Sequence, residues 1–251
     1  MFIELKMNIS HYRRVAASLI IWATMIAPTM ASEQPVQVIA FEYPPYISQQ
    51  SESNNYILST LYRVFAESTS IDIQANFLSA ARAHKTVESE RWCLSLYPPI
   101  IPTTSHILIP LQEEFIELKL FRLTQPDAFM GKQLKGKTIA QLRMQTPEGV
   151  IKEFTAEGAT FFQMETIPQG VQLLFKQRVD YLYGDAKAIE FAADNLGYDI
   201  SQLQASALTY RRFPVGVWVN QQCPQSEQVL SQLKQAGFKM IQGNHSRFQS
   251  H

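Results

Sequence analysis

Two cysteines among 251 residues are too few for a disulfide scaffold or a multi-cysteine metal knuckle. Charge of neither sign is in surplus, since 22 basic residues balance 22 acidic ones. No nucleic-acid partner is expected, because such binders carry a basic excess or a concentrated basic stripe. The sequence lacks a P-loop, a dinucleotide fingerprint, an HExxH pair and a nucleophile elbow, so neither an enzyme nor a bound cofactor is expected. His84, His106, His245 and His251 are too scattered to suggest a metal site. Internal repeats and low-complexity tracts are missing as well. What is present is 46% hydrophobic and 18% charged residues, the balance of a globular chain. The length suffices for one large or two modest domains.

Only one apolar run is long, and it lies near the N-terminus. His11-Tyr12-Arg13-Arg14 forms a positive region, Val15–Ile26 is apolar apart from Ser18 and Thr24, and Thr29-Met30-Ala31 offers a small-x-small cleavage motif. This is the pattern of a secretory signal peptide over residues 1–31, with Met7 as an alternative start. Its apolar core of roughly a dozen residues falls short of the about 20 that a spanning helix needs. The mature chain is expected to be exported to the periplasm, soluble, and without stable membrane insertion. In an oxidising compartment Cys93 and Cys223 can close a disulfide. Sequence leaves that pairing open, because it does not supply the Cα separation.

The remaining chain alternates strands and helices. Val36–Phe41 predicts a buried strand, ended by Glu42-Tyr43-Pro44-Pro45-Tyr46, where two prolines forbid helix and central strand. Leu58, Leu61, Tyr62 and Phe65 form a helical stripe behind a cap at Asn54 or Asn55. Ile71, Ile73, Ala75 and Phe77 alternate as a strand, Ser79 opens a short helix with Arg82 and His84, and Trp92–Tyr97 is a third strand. From Ile100 to Leu123 the alternation lapses into extended segments, Ile107–Leu111 and Phe115–Leu123. It restarts with a strand at Thr138–Leu142, a helix opened by Thr146-Pro147-Glu148, and a strand at Ala159–Met164. A strand at Pro214–Asn220 and a helix at Pro224–Ala236 close the chain, and the tail from Gln242 is expected to be loose.

The densest signal is Ile167–Leu196. Val171, Leu174 and Phe175 make an apolar helical stripe, Val179–Tyr183 reads as a short buried strand broken by Gly184, and Asp185 stands at the N-cap of a second helix. This places Asp185 at the carboxyl end of a strand, where open α/β sheets bind ligands.

Four segments in this order resemble the bacterial extracellular solute-binding proteins of family 3, the amino-acid-type periplasmic binding proteins. They are FEYPPYIS at Phe41–Ser48, LKGKTIAQL at Leu134–Leu142, KQRVDYLYGD at Lys176–Asp185, and the strand-to-helix segment Phe213–Leu233. The resemblance implies an α/β, two-lobed type II periplasmic-binding-protein fold. Each lobe would be a mostly parallel sheet flanked by helices, and two hinge crossovers would join them. Lobe one would span 35–122 plus 210–241, lobe two 123–209, and the loose tail 242–251. Both cysteine-bearing strands would then share lobe one. The implied role is capture of a small polar, amino-acid-like ligand by a monomer, with an ABC importer permease as partner. A stand-alone sensory or accessory binding module and a periplasmic enzyme of the same fold are the alternatives.

The implied ligand contacts are Glu42, Tyr43 and Tyr46 in the aromatic-proline loop, Arg82, Tyr97, Thr146, and Asp185 as acceptor of a ligand amine. One departure is conspicuous. The arginine that clamps an α-carboxylate in this family, in a threonine-x-x-arginine motif, is missing from Ile101–His106, and His106 cannot fork onto a carboxylate.

Overall fold

The computed structural model describes residues 34–49, 55–66, 71–144 and 149–243. The leader pattern at 1–31, Thr146 and most of the tail lie outside the described residues. The elements are β1 (Val36–Ala40), α1 (Tyr56–Ala66), β2 (Ile73–Phe77), α2 (Ala80–Glu88), β3 (Leu94–Ser95), β4 (His106–Leu123), β5 (Thr138–Leu142), α3 (Val150–Ala156), β6 (Thr160–Met164), α4 (Ile167–Phe175), β7 (Tyr181–Asp185), α5 (Ala186–Asn195), β8 (Leu203–Ala205), β9 (Arg211–Asn220), α6 (Ser226–Gln235) and β10 (Ile241–Gln242). The strands order as β2-β1-β3-β9-β4-β7-β5-β6, with β8 and β10 also paired to β4.

Two halves share this sheet. In the first, β1 pairs in parallel with β2 and β3; in the second, β5 pairs in parallel with β6 and β7. The long antiparallel pair of β4 and β9 joins them. At its start β4 pairs with β9 and β10, and at its end Leu118–Leu123 pair with β7 and β8. The β4–β9 register shifts between Pro110 and Phe115, so the ladder is interrupted where the chain passes between halves. Beside that interruption Gly216 faces Ile109 and Pro110, where a Cβ would collide with the Ile109 carbonyl. Only glycine lets the two crossing strands approach so closely.

Local sequence accounts for most elements. The α1 stripe buries Ile57, Leu58, Leu61, Val64 and Phe65. Tyr62, expected in that stripe, is 41% exposed, and its hydroxyl accepts a hydrogen bond from the Ala75 N–H of β2. Thr166 caps α4 by accepting from the Gln169 N–H, with Pro168 in the first turn. Ser79 stands at the N-cap of α2 without a side-chain cap bond.

Several expected boundaries are adjusted. Trp92–Tyr97 shrinks to the two ladder residues Leu94 and Ser95, because the Ser95 hydroxyl bonds to the Tyr97 backbone and turns the chain. The strand expected at Val179–Tyr183 is Tyr181–Asp185 and runs through Gly184, since parallel pairing to β5 and antiparallel pairing to β4 override the local weakness of glycine. Gln242, the first residue of the expected tail, pairs with Ile107.

Cys93 and Cys223 are joined by a disulfide across Cα atoms 5.2 Å apart. It links the start of β3 to the turn between β9 and α6. Among the described residues no helix is long and apolar enough to cross a membrane.

Candidate ligand-binding site

A cavity of about 560 Å³ lies where the two halves face each other, within the range typical of small-molecule sites. The first half supplies Phe41, Tyr43, Tyr46 and Tyr97, and the second supplies Gln141, Leu142 and Tyr183. Strand β9 adds Arg211, Phe213 and Val215, and β4 adds Ile116 and Leu118. Most of this surface is apolar. Arg211 is the single charged side chain among the described lining residues.

The aromatic-proline loop approaches the second half directly. Tyr43 and Tyr46 stack with ring centroids 6.2 Å apart, and both reach Asp185. The Tyr46 hydroxyl donates to Asp185 Oδ2 at 2.9 Å, and the Asp185 N–H donates to the Tyr43 hydroxyl at 3.3 Å. Asp185 also accepts from the Ala188 N–H at 3.0 Å, as the N-cap of α5, and from the Glu117 N–H at 2.8 Å. The carboxylate is 1% exposed and does not line the cavity. Burial pushes its carboxyl above the usual carboxylate range, and the hydrogen bonds from Glu117, Ala188 and Tyr46 oppose that rise. Burial, with Asp185 next, likewise raises the Tyr43 and Tyr46 hydroxyls.

A second link joins the halves at the crossing. Glu114 of β4 accepts from Lys187 of α5 at 2.8 Å and from the Tyr56 hydroxyl of α1 at 3.3 Å. Lys187 holds the Glu114 carboxyl below its ordinary range, and its ammonium lies 5.6 Å from the Tyr46 ring centroid.

Arg211 contrasts with these satisfied groups. Among the described residues its guanidinium donates one hydrogen bond, to the Pro99 carbonyl at 3.4 Å, and it forms no ion pair. Its guanidinium carbon is 5.6 Å from the Phe213 ring centroid. Burial lowers its pKa, and the nearby Tyr183 and Tyr97 pull the other way. Gln141 is 3% exposed, and its amide has no hydrogen-bond partner among the described residues. Since Ile139 and Ala140 pair with Tyr181 and Leu182, the parallel register brings Gln141 beside Tyr183 on one face.

Of the expected contacts, Tyr43, Tyr46 and Tyr97 converge on the cavity. Glu42 instead accepts from the Ser48 hydroxyl and the Gln49 N–H within its own loop. Arg82 sits on the exposed face of α2 and is not a lining residue. Thr146 lies outside the described residues, although Met144 and Gly149 on either side line the cavity. His106 is buried away from it, with Nδ1 accepting from the Thr103 N–H and Nε2 2.9 Å from Glu90.

Arg211, Tyr183 and Gln141 are absent from the expected set. A signal for Arg211 exists: it is in phase with Phe213, Val215 and Val217, the inward positions of β9, so a period-two reading carries the charge onto the buried face.

No family model matches the chain, and no curated protein matches it in sequence. Solved structures do match in three dimensions. The GluR0 ligand-binding core from Nostoc punctiforme in complex with L-glutamate superposes with a TM-score of 0.58 at 16% identity, covering 80% of this chain and 92% of that one. The arginine-, lysine-, histidine-binding protein ArtJ from Geobacillus stearothermophilus gives 0.58 at 14% identity, over 81% and 89%. A histidine kinase sensor domain with similarity to periplasmic binding proteins gives 0.54 at 18% identity, over 81% and 92%. The chain therefore has the two-lobed periplasmic-binding-protein fold, and its resemblance to the family 3 solute-binding proteins holds at the level of the fold.

Proposed function

We propose that this protein is an exported, divergent family 3 solute-binding protein that captures a small molecule between its two lobes. The observation that carries this reading is the roughly 560 Å³ cavity lined from both halves of the sheet. Lobe one comprises the elements before the β4 crossing together with the end of β9 and α6; lobe two lies between. The hinge is the interrupted ladder at residues 111–114 of β4 and the facing stretch of β9. Closure is favoured by a ligand to the extent that it binds the closed form better than the open one.

Within this reading Tyr43, Tyr46 and Tyr97 form the lobe-one wall of the site. Asp185 and Tyr46 act as a latch between lobes rather than as an amine receptor, because the carboxylate is already occupied by protein donors. The protein works as a periplasmic monomer and passes its ligand to the membrane component of an ABC importer. A stand-alone sensory module is a second reading, favoured by the missing family clamp after β3.

A thermal-shift screen of the purified protein against amino acids, polyamines, sugars and organic acids tests the role. A ligand at 100 times its dissociation constant stabilises by about 2.7 kcal/mol. A flat response across all classes would remove the solute-binding reading.

A further inference from the structure

We infer that the cavity recognises an amphipathic monoanion, an apolar aliphatic or aryl body carrying one carboxylate-like head, which Arg211 anchors and for which no ligand amine is required. This rests on the solute-binding reading and specifies the ligand class for the same cavity.

Charge is the first argument. A guanidinium offers five N–H donors in a rigid fork and stays protonated in proteins. Arg211 spends one of them on a long bond to Pro99 and meets no carboxylate among the described residues. Arg211 is half-buried, and partial desolvation of a poorly partnered cation costs stability, so a role in ligand recognition accounts for its presence. One cation in the lining matches one anionic charge.

Polar complementarity is the second. Tyr97 and Tyr183 flank Arg211 closely enough to influence its ionisation. Neither hydroxyl has a hydrogen-bond partner among the described residues. The Gln141 amide, beside Tyr183, is likewise free. These groups form a head-group site in which a two-oxygen anion accepts a forked pair of bonds from arginine.

The third argument is what the cavity withholds. Phe41, Leu96, Ile116, Leu142, Phe213 and Val215 also line the cavity and are apolar, which suits a hydrocarbon body. No carboxylate of a described residue lines the cavity, and Asp185 is closed off by Tyr46, Glu117 and Ala188. A ligand ammonium would be desolvated there without a counter-charge.

Three probes with one body separate the possibilities: 3-phenylpropanoate, its neutral amide, and L-phenylalanine. Isothermal titration of the wild-type protein is expected to rank the carboxylate about ten- to hundredfold above the amide and above the amino acid. Arg211→Gln should weaken the carboxylate by a similar factor and weaken the amide far less, so that the two probes bind nearly alike. The wild-type ranking does not depend on that variant folding. If phenylalanine or the amide binds as well as the carboxylate, the anion assignment is wrong. If a wider panel of aliphatic and aryl carboxylates and sulfonates gives nothing while a sugar, polyamine or α-amino acid binds, this inference fails and the solute-binding reading stands. If no class binds at all, that reading fails first.

Discussion

Asp185 and Arg211 occupy the same row of the sheet and live by opposite rules. Leu118 of β4 pairs with Asp185 on one side and with Arg211 on the other, so the two charges stand two strand spacings apart, about 10 Å. The carboxylate accepts three hydrogen bonds and caps a helix. The guanidinium has one long bond and an apolar room in front of it. A charge with its partners built in is part of the scaffold, whereas one partly withdrawn from water without them is a demand on something else. Motif position singles out Asp185, whereas the count of built-in partners singles out Arg211.

The largest effect is expected for Asp185→Ala. It removes the cap of α5 and strands the Glu117 N–H and the Tyr46 hydroxyl, so urea unfolding should show a loss of about 3 kcal/mol. Tyr46→Phe deletes one donor to the same carboxylate and should cost about 1.5 kcal/mol, measured in the same way. If both variants unfold like wild type, Asp185 is not a latch. Arg211→Met should move stability the other way, raising it by about 1 kcal/mol in ligand-free protein, because a half-buried cation without an ion pair is removed. A large loss there would mean that the scaffold uses Arg211 after all.

The smallest effect is expected at the rim. Glu114→Gln removes an exposed pair with Lys187 and should cost under about 1 kcal/mol. Its pH dependence has a definite sign. Lys187 holds the Glu114 carboxyl below its ordinary value, so the contribution is fully present above that value and fades as pH falls through the lowered folded pKa. Asp185 behaves oppositely. Burial raises its carboxyl, so the charged form is the costly one, and this group adds stability as pH falls through its raised folded pKa toward the ordinary value. Stability curves of Glu114→Gln and Asp185→Asn between pH 3 and 7 (roughly the carboxylate window) would therefore diverge from wild type in opposite directions.

Much of the fold could be read from periodicity, and the reason is physical. Helices such as α1 and α4 bury continuous stripes, and strands such as β5 match their apolar runs residue for residue. Boundaries were less legible where tertiary pairing decides them, as at β7, which holds Gly184 in its ladder, and at β3, which Ser95 cuts short. Asp185 was visible as a cap because the N-cap is a local motif. Its other partners were not, since Tyr46 lies 139 residues away and Glu117 68. Arg211 escaped for a related reason. Its meaning comes from the emptiness around it, which no local pattern records, although its phase with Phe213 and Val215 was there to be counted.

The disulfide has a mechanical consequence. Cys93 and Cys223 are separated by 130 positions, and the whole of the second half, with the crossing strands, lies on the covalent loop between them. Tension applied to the two ends of the chain would pass through the sulfur atoms and bypass that loop. The interrupted β4–β9 ladder and the cavity walls carried by β5 and β7 are thereby insulated from pulling at the termini. On the proposed two-lobe reading, lobe two would swing on its crossings without lying on the covalent path between the two ends.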